Sequence, residues 1–227
     1  MILDQLRYLL RRLAAHVREA CQSRRANAEF AAYSLILLAL RAEFDVGVYN
    51  LNYDDLAISA WPEAFTGFGR GGEFDARGVH RREEWGFVYH LHGSVHHSFT
   101  DPVFPMRWEP DLVAGTFEDL GFPYETMASD FKPVLLTTLI AGGFKLDQLL
   151  VDPFQTFHAS LVRHAHEADA VLIGGYGFGD VHVNRALVAR FGLSRRAAVG
   201  RPRAVVLDRT SPGCGRPACV RTCGPTR

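Results

Sequence analysis

The sequence predicts an α/β fold in which helices flank a parallel sheet. Three observations predict it. Short apolar runs at residues 45–51, 85–91, 168–173 and 203–208 read as strands. A helical pattern over 181–191 separates the last two, and alternating strand, helix and strand is what parallel connections require. The runs end in polar or Gly-rich turns, or in Asp208, and open parallel sheets hold ligands beyond the carboxyl ends of their strands. The 227 residues are 48% apolar and 22% charged, which excludes disordered, collagen-like and low-complexity classes. Lys+Arg and Asp+Glu balance at 25 each, which disfavours nucleic acid as the main ligand. Lys132 and Lys145 are the only lysines, a bias towards arginine that reads as coding preference and singles out Lys145.

The elements follow in order. Ile2, Leu6, Leu9, Leu10, Leu13 and Val17 recur at spacings of three and four, giving a helix with one apolar face. Residues 23–27 interrupt it. A second helix over 28–43 is more apolar and is expected to be more buried. The strand at 45–51 gives way to the polar group Asn52-Tyr53-Asp54-Asp55. Residues 62–84 read as irregular. Gly67, Gly69, Gly71 and Gly72 surround Arg70, but no helix start or Lys-Ser/Thr follows, so this is a surface loop rather than a phosphate cradle. The strand at 85–91 runs into the turn His92-Gly93-Ser94. Pro102, Pro105, Pro110 and Pro123 limit residues 100–130 to short elements. Helical patterns begin at 147–150 and resume over 154–167. A buried strand at 168–173 leads to the turn at 174–179. Asp180 is placed to cap the helix over 181–191. After Asp208 the composition shifts to Arg, Pro, Gly and Cys. The expected organisation is one domain over 1–208 and an irregular or disordered tail over 209–227.

Met1-Ile-Leu-Asp-Gln-Leu lacks the basic start and cleavage site of a secretion signal. The longest apolar run, residues 30–40, falls short of the roughly 20 residues a bilayer needs. A cytoplasmic, reduced protein with no membrane partner is expected. Cys214, Cys219 and Cys223 have spacings of four and three intervening residues, without the pairing and fourth ligand of a zinc site, so the tail reads as unstructured.

Two constellations could carry chemistry. Gly175-Tyr176-Gly177-Phe178-Gly179 lets a ligand approach backbone, the helix after Asp180 presents free amides, and Asp208 could receive ribose hydroxyls. This is a loose dinucleotide pattern, and glycine packing between strand and helix also explains it. His90, His92, His96 and His97 lie within eight residues, and strand alternation puts His90 and His92 on one side. They could be a metal pair, one functional base with surface histidines, or structural groups. No carboxylate pattern completes a known metal set, so no metal is expected.

Read together, these segments resemble the sirtuin-like family, in particular its zinc-less bacterial branch linked to antiphage defence. Asn50-Leu51-Asn52-Tyr53-Asp54-Asp55 is similar to the family's Thr-x-Asn-Tyr-Asp-Asp. Leu91-His92-Gly93-Ser94 matches Leu-His-Gly-Ser. The run from Gly175 to Asn184 is similar to Gly-Tyr-Ser-Phe-x-Asp-x-His-x-Asn. The stretch Lys145-Leu146-Asp147 with Pro153-Phe154 looks like the family's link between these motifs. Order and spacing agree over about residues 28–208.

The resemblance implies a Rossmann-like sheet and NAD as substrate. It implies that Asn52 and Asp54 line the nicotinamide-ribose pocket beside Asn50 and Gly93. His92 would be the general base. Gly175, Tyr176, Gly177 and Asp180 would hold ribose and phosphates, with Asp208 near the adenosine end. The departures shape the expectation. Asn50 stands for Thr, Gly177 for a small polar residue, and Ile58 where an acid is common. No Cys-x-x-Cys pairs lie between His92 and Gly175, so the zinc module of lysine deacetylases is absent, which favours NAD hydrolysis. The family's Gly-Ala-Gly-x-Ser strand is missing ahead of the helices. The expectation is therefore a fold lacking its first strand. Its alternatives are an inactive NAD-binding or protein-interaction module, or a fragment of a longer enzyme. Self-association or a defence-system sensor protein are the partners the resemblance implies.

Overall fold

The computed structural model describes residues 2–99, 106–110, 125–127, 133–135, 138–140, 148–191, 203–208 and 219–222. Lys145, with Leu146 and Asp147, lies outside the described residues, as do Cys214, Cys223 and the side chain of Asp208. The chain divides into two compact units, residues 1–157 and 158–227.

The first unit opens with two helices, α1 (Ile2–Arg25) and α2 (Ala28–Glu43). The expected break at 23–27 shrinks to residues 26 and 27. The buried stripe of α1 shares Leu10 with the expected face and otherwise departs from it at Leu9 and Leu13. Leu10, Ala14, Arg18 and Cys21 are buried, whereas Leu9 is 61% exposed and Leu13 37%. The face is rotated because small residues at 14 and 21 allow close approach and Arg18 carries its charge inward. The expected burial of α2 is also corrected. Leu37 is its buried residue, while Leu35, Ile36 and Leu38 are more than half exposed. An apolar sequence shows what a helix could bury, not whether anything covers it.

A parallel pair forms the centre of this unit. β1 (Gly47–Asn50) pairs with β2 (Phe87–His90) in the register Gly47↔Phe87 to Asn50↔His90. All four β2 residues are buried, as a parallel strand covered on both faces requires. Phe87 and Tyr89 point to one face, where Tyr89 stacks on Phe87 at 4.3 Å and on Phe157 at 4.7 Å. On the other face Val88 joins Leu37, Ala57, Trp61 and Ala64. Trp61 follows α3 (Leu56–Ala60), and its ring carries the Arg41 guanidinium at 4.0 Å.

Residues 62–84, expected to be irregular, contain α4 (Ala76–Arg81). The Asp75 side chain accepts from the Gly78 amide at 2.7 Å and caps it, a local signal masked in the sequence by the surrounding charges. β3 (His97–Phe99) pairs antiparallel with β4 (Met106–Trp108). β5 (Glu125–Met127) pairs antiparallel with β6 (Pro133–Leu135). Helix α5 (Phe154–Glu167) matches its expected range and contains the division between units.

In the second unit β7 (Ala170–Gly174) pairs parallel with β8 (Arg203–Asp208), with α6 (Val181–Phe191) between them in sequence. The α/β fold class is thus present, with parallel pairs in both units. β7 is not the buried strand expected, since Leu172 is 47% exposed. β9 (Cys219–Thr222) pairs antiparallel with β8, so four residues of the segment read as an irregular tail lie in a strand.

Candidate functional site

In the first unit the carboxyl ends of β1 and β2 lie side by side, with Asn50 opposite His90. The loop after β1 folds on its own polar side chains. Asn50 Oδ1 accepts from the Asn52 amide at 2.9 Å, and Asn50 Nδ2 donates to the Asp54 carbonyl at 3.2 Å. Asp54 Oδ1 accepts from the Leu56 amide at 3.1 Å and so holds the start of α3. Burial raises the Asp54 carboxyl above the usual carboxylate range, against the Leu56 amide and Asn50, which favour its charged form. Asn52 is exposed at the apex of the loop.

The loop after β2 is tied to this one. The Leu91 amide donates to the Asn50 carbonyl at 2.9 Å, and the Val95 amide to the Tyr53 carbonyl at 2.9 Å. His92, buried, sets Nδ1 3.2 Å from the Leu51 carbonyl. A carbonyl only accepts, so Nδ1 carries the proton and the neutral ring has its lone pair on Nε2. His90 places Nε2 3.1 Å from the Asp54 carbonyl. Both rings thus turn to carbonyls of the loop after β1, each to a different residue.

Gly93 has a reason in the fold itself. Its φ is +102°, and a Cβ there would meet the Thr138 carbonyl oxygen at 2.1 Å. Residues 138–140 close over both loops. The Ile140 amide donates to the His92 carbonyl at 2.7 Å, and the Tyr53 hydroxyl to the Ile140 carbonyl at 2.6 Å. Tyr53→Phe is expected to cost about 1 kcal/mol, lowering the melting temperature by about 2–4 °C. Calorimetry checks it, and an unchanged melting temperature would mean that this bond contributes nothing to the closure.

Two further histidines, His96 and His97, and the Trp108 ring lie close to His90. The Trp108 ring stacks on His96 at 4.4 Å and lies 5.8 Å from both His90 and His97. Asp55, 1% exposed, sits beneath, paired with Arg25 and with His96 Nε2 at 3.7 Å. Burial works to raise the Asp55 carboxyl, but the His96 ring and the Arg25 charge prevail and hold it below the usual range.

In the second unit the turn between β7 and α6 is built around one hydroxyl. The Tyr176 hydroxyl has one proton to share between the Asp180 carbonyl at 3.0 Å and Asn184 Oδ1 at 2.9 Å, and it accepts from the Asp180 amide at 3.2 Å. Asn184 Nδ2 donates to the Phe178 carbonyl at 2.7 Å, holding Phe178 at φ +56°. The Asp180 carbonyl accepts from the Asn184 amide at 2.9 Å, the first bond of α6, which puts Asp180 at the expected cap position. Asn184 is a residue that sequence reasoning quoted in the motif without giving it a role. Gly177 and Gly179 lie outside the left-handed region, and a Cβ on either would meet nothing within 4 Å among the described residues. Among the described residues neither conformation nor packing requires glycine there. Of Asp208 the backbone is described, at the end of β8 opposite Cys219.

Parallel strand pairs with polar loops at their carboxyl ends are the arrangement in which α/β folds hold ligands. Residues 46–216 match the model of the SIR2-like domain, and the chain belongs to that family. No curated protein matches the chain. Among the described residues, no helix is long and apolar enough to cross a membrane.

Proposed function

We propose that this chain binds NAD and hydrolyses it to nicotinamide and ADP-ribose, as a SIR2-like enzyme of bacterial antiphage defence. The observation that supports this best is the joining of two loops at adjacent strand ends, one carrying Asn52 and Asp54 and the other a buried His92 whose Nδ1 lies 3.2 Å from the Leu51 carbonyl of the first loop. The chemistry suits those groups. The bond between C1′ of the ribose and the nicotinamide nitrogen breaks, and its electron pair leaves with nicotinamide. Positive charge develops on the ribose, which the Asp54 carboxylate would stabilise and the Asn52 amide would orient. Water adds to C1′ and gives its proton to His92 Nε2.

For the dinucleotide itself, Asn50 and Gly93 shape the first loop pair. In the second unit Gly175, Tyr176, Gly177, Asp180 and Asp208 are the proposed contacts to ribose and phosphate. The bare backbone at Gly177 fits such a ligand. The test is nicotinamide release from NAD+ by the purified chain, followed by chromatography at high protein concentration. Release that scales with protein supports the reading. NAD+ left intact overturns hydrolysis, and calorimetry with NAD+ then separates a binding module from a chain that does not bind it.

A further inference from the structure

Helix α1 lies outside the SIR2-like match, which begins at residue 46, yet two of its side chains reach both candidate loops. Arg25 pairs with the Asp55 carboxylate, adjacent to Asp54. Arg18, 7% exposed, donates from Nη2 to the Val95 carbonyl at 2.7 Å, three residues beyond His92. Cys21, one turn from each arginine, is buried against the same carboxylate, its thiol pushed up to about 12 by burial. So one helix face carries two cations, and each ends on a different loop. Of the two, Arg18 is buried, and a buried guanidinium is costly unless its donors find partners, whereas the Arg25 side chain is 40% exposed and meets a buried carboxylate. The Val95 amide in turn donates to Tyr53, which closes the circuit between the loops.

We infer that α1 is a positioning element of this site: Arg25 through Asp55, and Arg18 through the Val95 carbonyl, hold the loops that carry Asn52–Asp54 and His92 in register. Arg18, Arg25 and Asp55 are positioning residues and act through those loops. The activity side of this inference rests on the proposed NAD hydrolysis, and its structural side does not.

The experiment compares Arg25→Ala, Arg25→Lys and Asp55→Asn with the parent chain. Amide hydrogen exchange is measured without ligand. Arg25→Ala is expected to speed exchange at Asn52 and Leu56 about ten-fold, with the β2 amides unchanged, because the opening is local. Arg25→Lys keeps the charge and is expected to restore most of that protection. With NAD+ as substrate, Arg25→Ala and Asp55→Asn are expected to lower kcat about ten-fold with KM within about two-fold, since misplaced groups lose rate more than binding. The inference is overturned if Asn52 and Leu56 exchange as in the parent, or if all amides speed up alike, which is general destabilisation. It is also overturned if the parent turns NAD+ over and both variants keep its kcat. A parent that releases no nicotinamide while its Arg25→Ala variant shows the local exchange defeats the hydrolase reading and leaves the positioning role standing.

Discussion

Replacing His92 by alanine is expected to reduce nicotinamide release by at least about 100-fold, the usual contribution of a positioned general base. His92 commits one ring nitrogen to the fold. Nδ1 lies 3.2 Å from the Leu51 carbonyl, inside the first loop, so the lone pair of the neutral ring is on Nε2. The ring is 4% exposed, which keeps bulk water from competing for it. Its backbone is fixed as well, through its carbonyl to the Ile140 amide. Alanine removes both the proposed base and one side-chain link between the loops, so a second variant separates them. His92→Asn places an amide near the former Nδ1 and can still donate to the Leu51 carbonyl, but it has no basic nitrogen. It is expected to melt within a few degrees of the parent and to lose activity as fully as alanine does. Asn52→Ala, at the exposed apex of the same loop, is expected to abolish release with little effect on stability. The assignment fails if His92→Asn and Asn52→Ala both keep parental turnover.

The readable parts of this molecule were those with local causes. Helices α5 and α6 and strand β8 fall at their expected limits because apolar periodicity and a cap at Asp180 are written into neighbouring residues. The polar loops at the ends of β1 and β2 were legible for the same reason, since Asn50, Asn52 and Asp54 bond among themselves. What sequence reasoning missed depends on partners far away in the chain. Arg18 reaches Val95 across 77 positions and Arg25 reaches Asp55 across 30, and nothing near either arginine signals it. The rotated stripe of α1 follows from that, because a periodic pattern favours Leu9 and Leu13 over a buried Arg18. Likewise the exposure of Leu35, Ile36 and Leu38 is a property of their surroundings, and no count of apolar residues contains it. Gly93 was read as a ligand contact, while its positive φ and the Thr138 carbonyl against it explain glycine within the fold. At Gly177, by contrast, a Cβ would meet nothing within 4 Å among the described residues.

Thermal stability is expected to fall steadily as pH is lowered from 7 to 4.5, because the fold keeps histidines uncharged. Burial holds His90 down to about 4, and its neighbour His96 adds to this, against the Asp54 carbonyl and the Asp55 charge. In the unfolded chain the same ring titrates near 6.5. Between about 6.5 and about 4 the unfolded chain takes up a proton that the folded chain refuses, so stability declines as pH falls through that window. The gap corresponds to about 3 kcal/mol when the window has been crossed, or roughly 6–12 °C in a chain of this size. His97 acts in the same direction. Burial holds its ring well below 6.5, and His90 and His96 add to this. Among the described residues neither of its nitrogens has a partner in hydrogen-bonding geometry, although the Thr138 backbone is near enough to favour the charged form a little. In the second unit burial and Arg163 hold His164 to about 4 as well. Two carboxyls bear on the lower end. Asp54, raised by burial, takes a proton early in the folded chain and offsets part of the loss. Asp55, held low, contributes its own loss only below the window. His90→Gln keeps a donor for the Asp54 carbonyl and cannot titrate, and His97→Leu fills an aromatic pocket without a polar atom. The double variant is expected to have a distinctly shallower fall between pH 6.5 and 4.5 in melting experiments. If its slope equals the parent's, or if the parent's melting temperature is flat to pH 4.5, the buried histidines are not what makes the fold acid-sensitive.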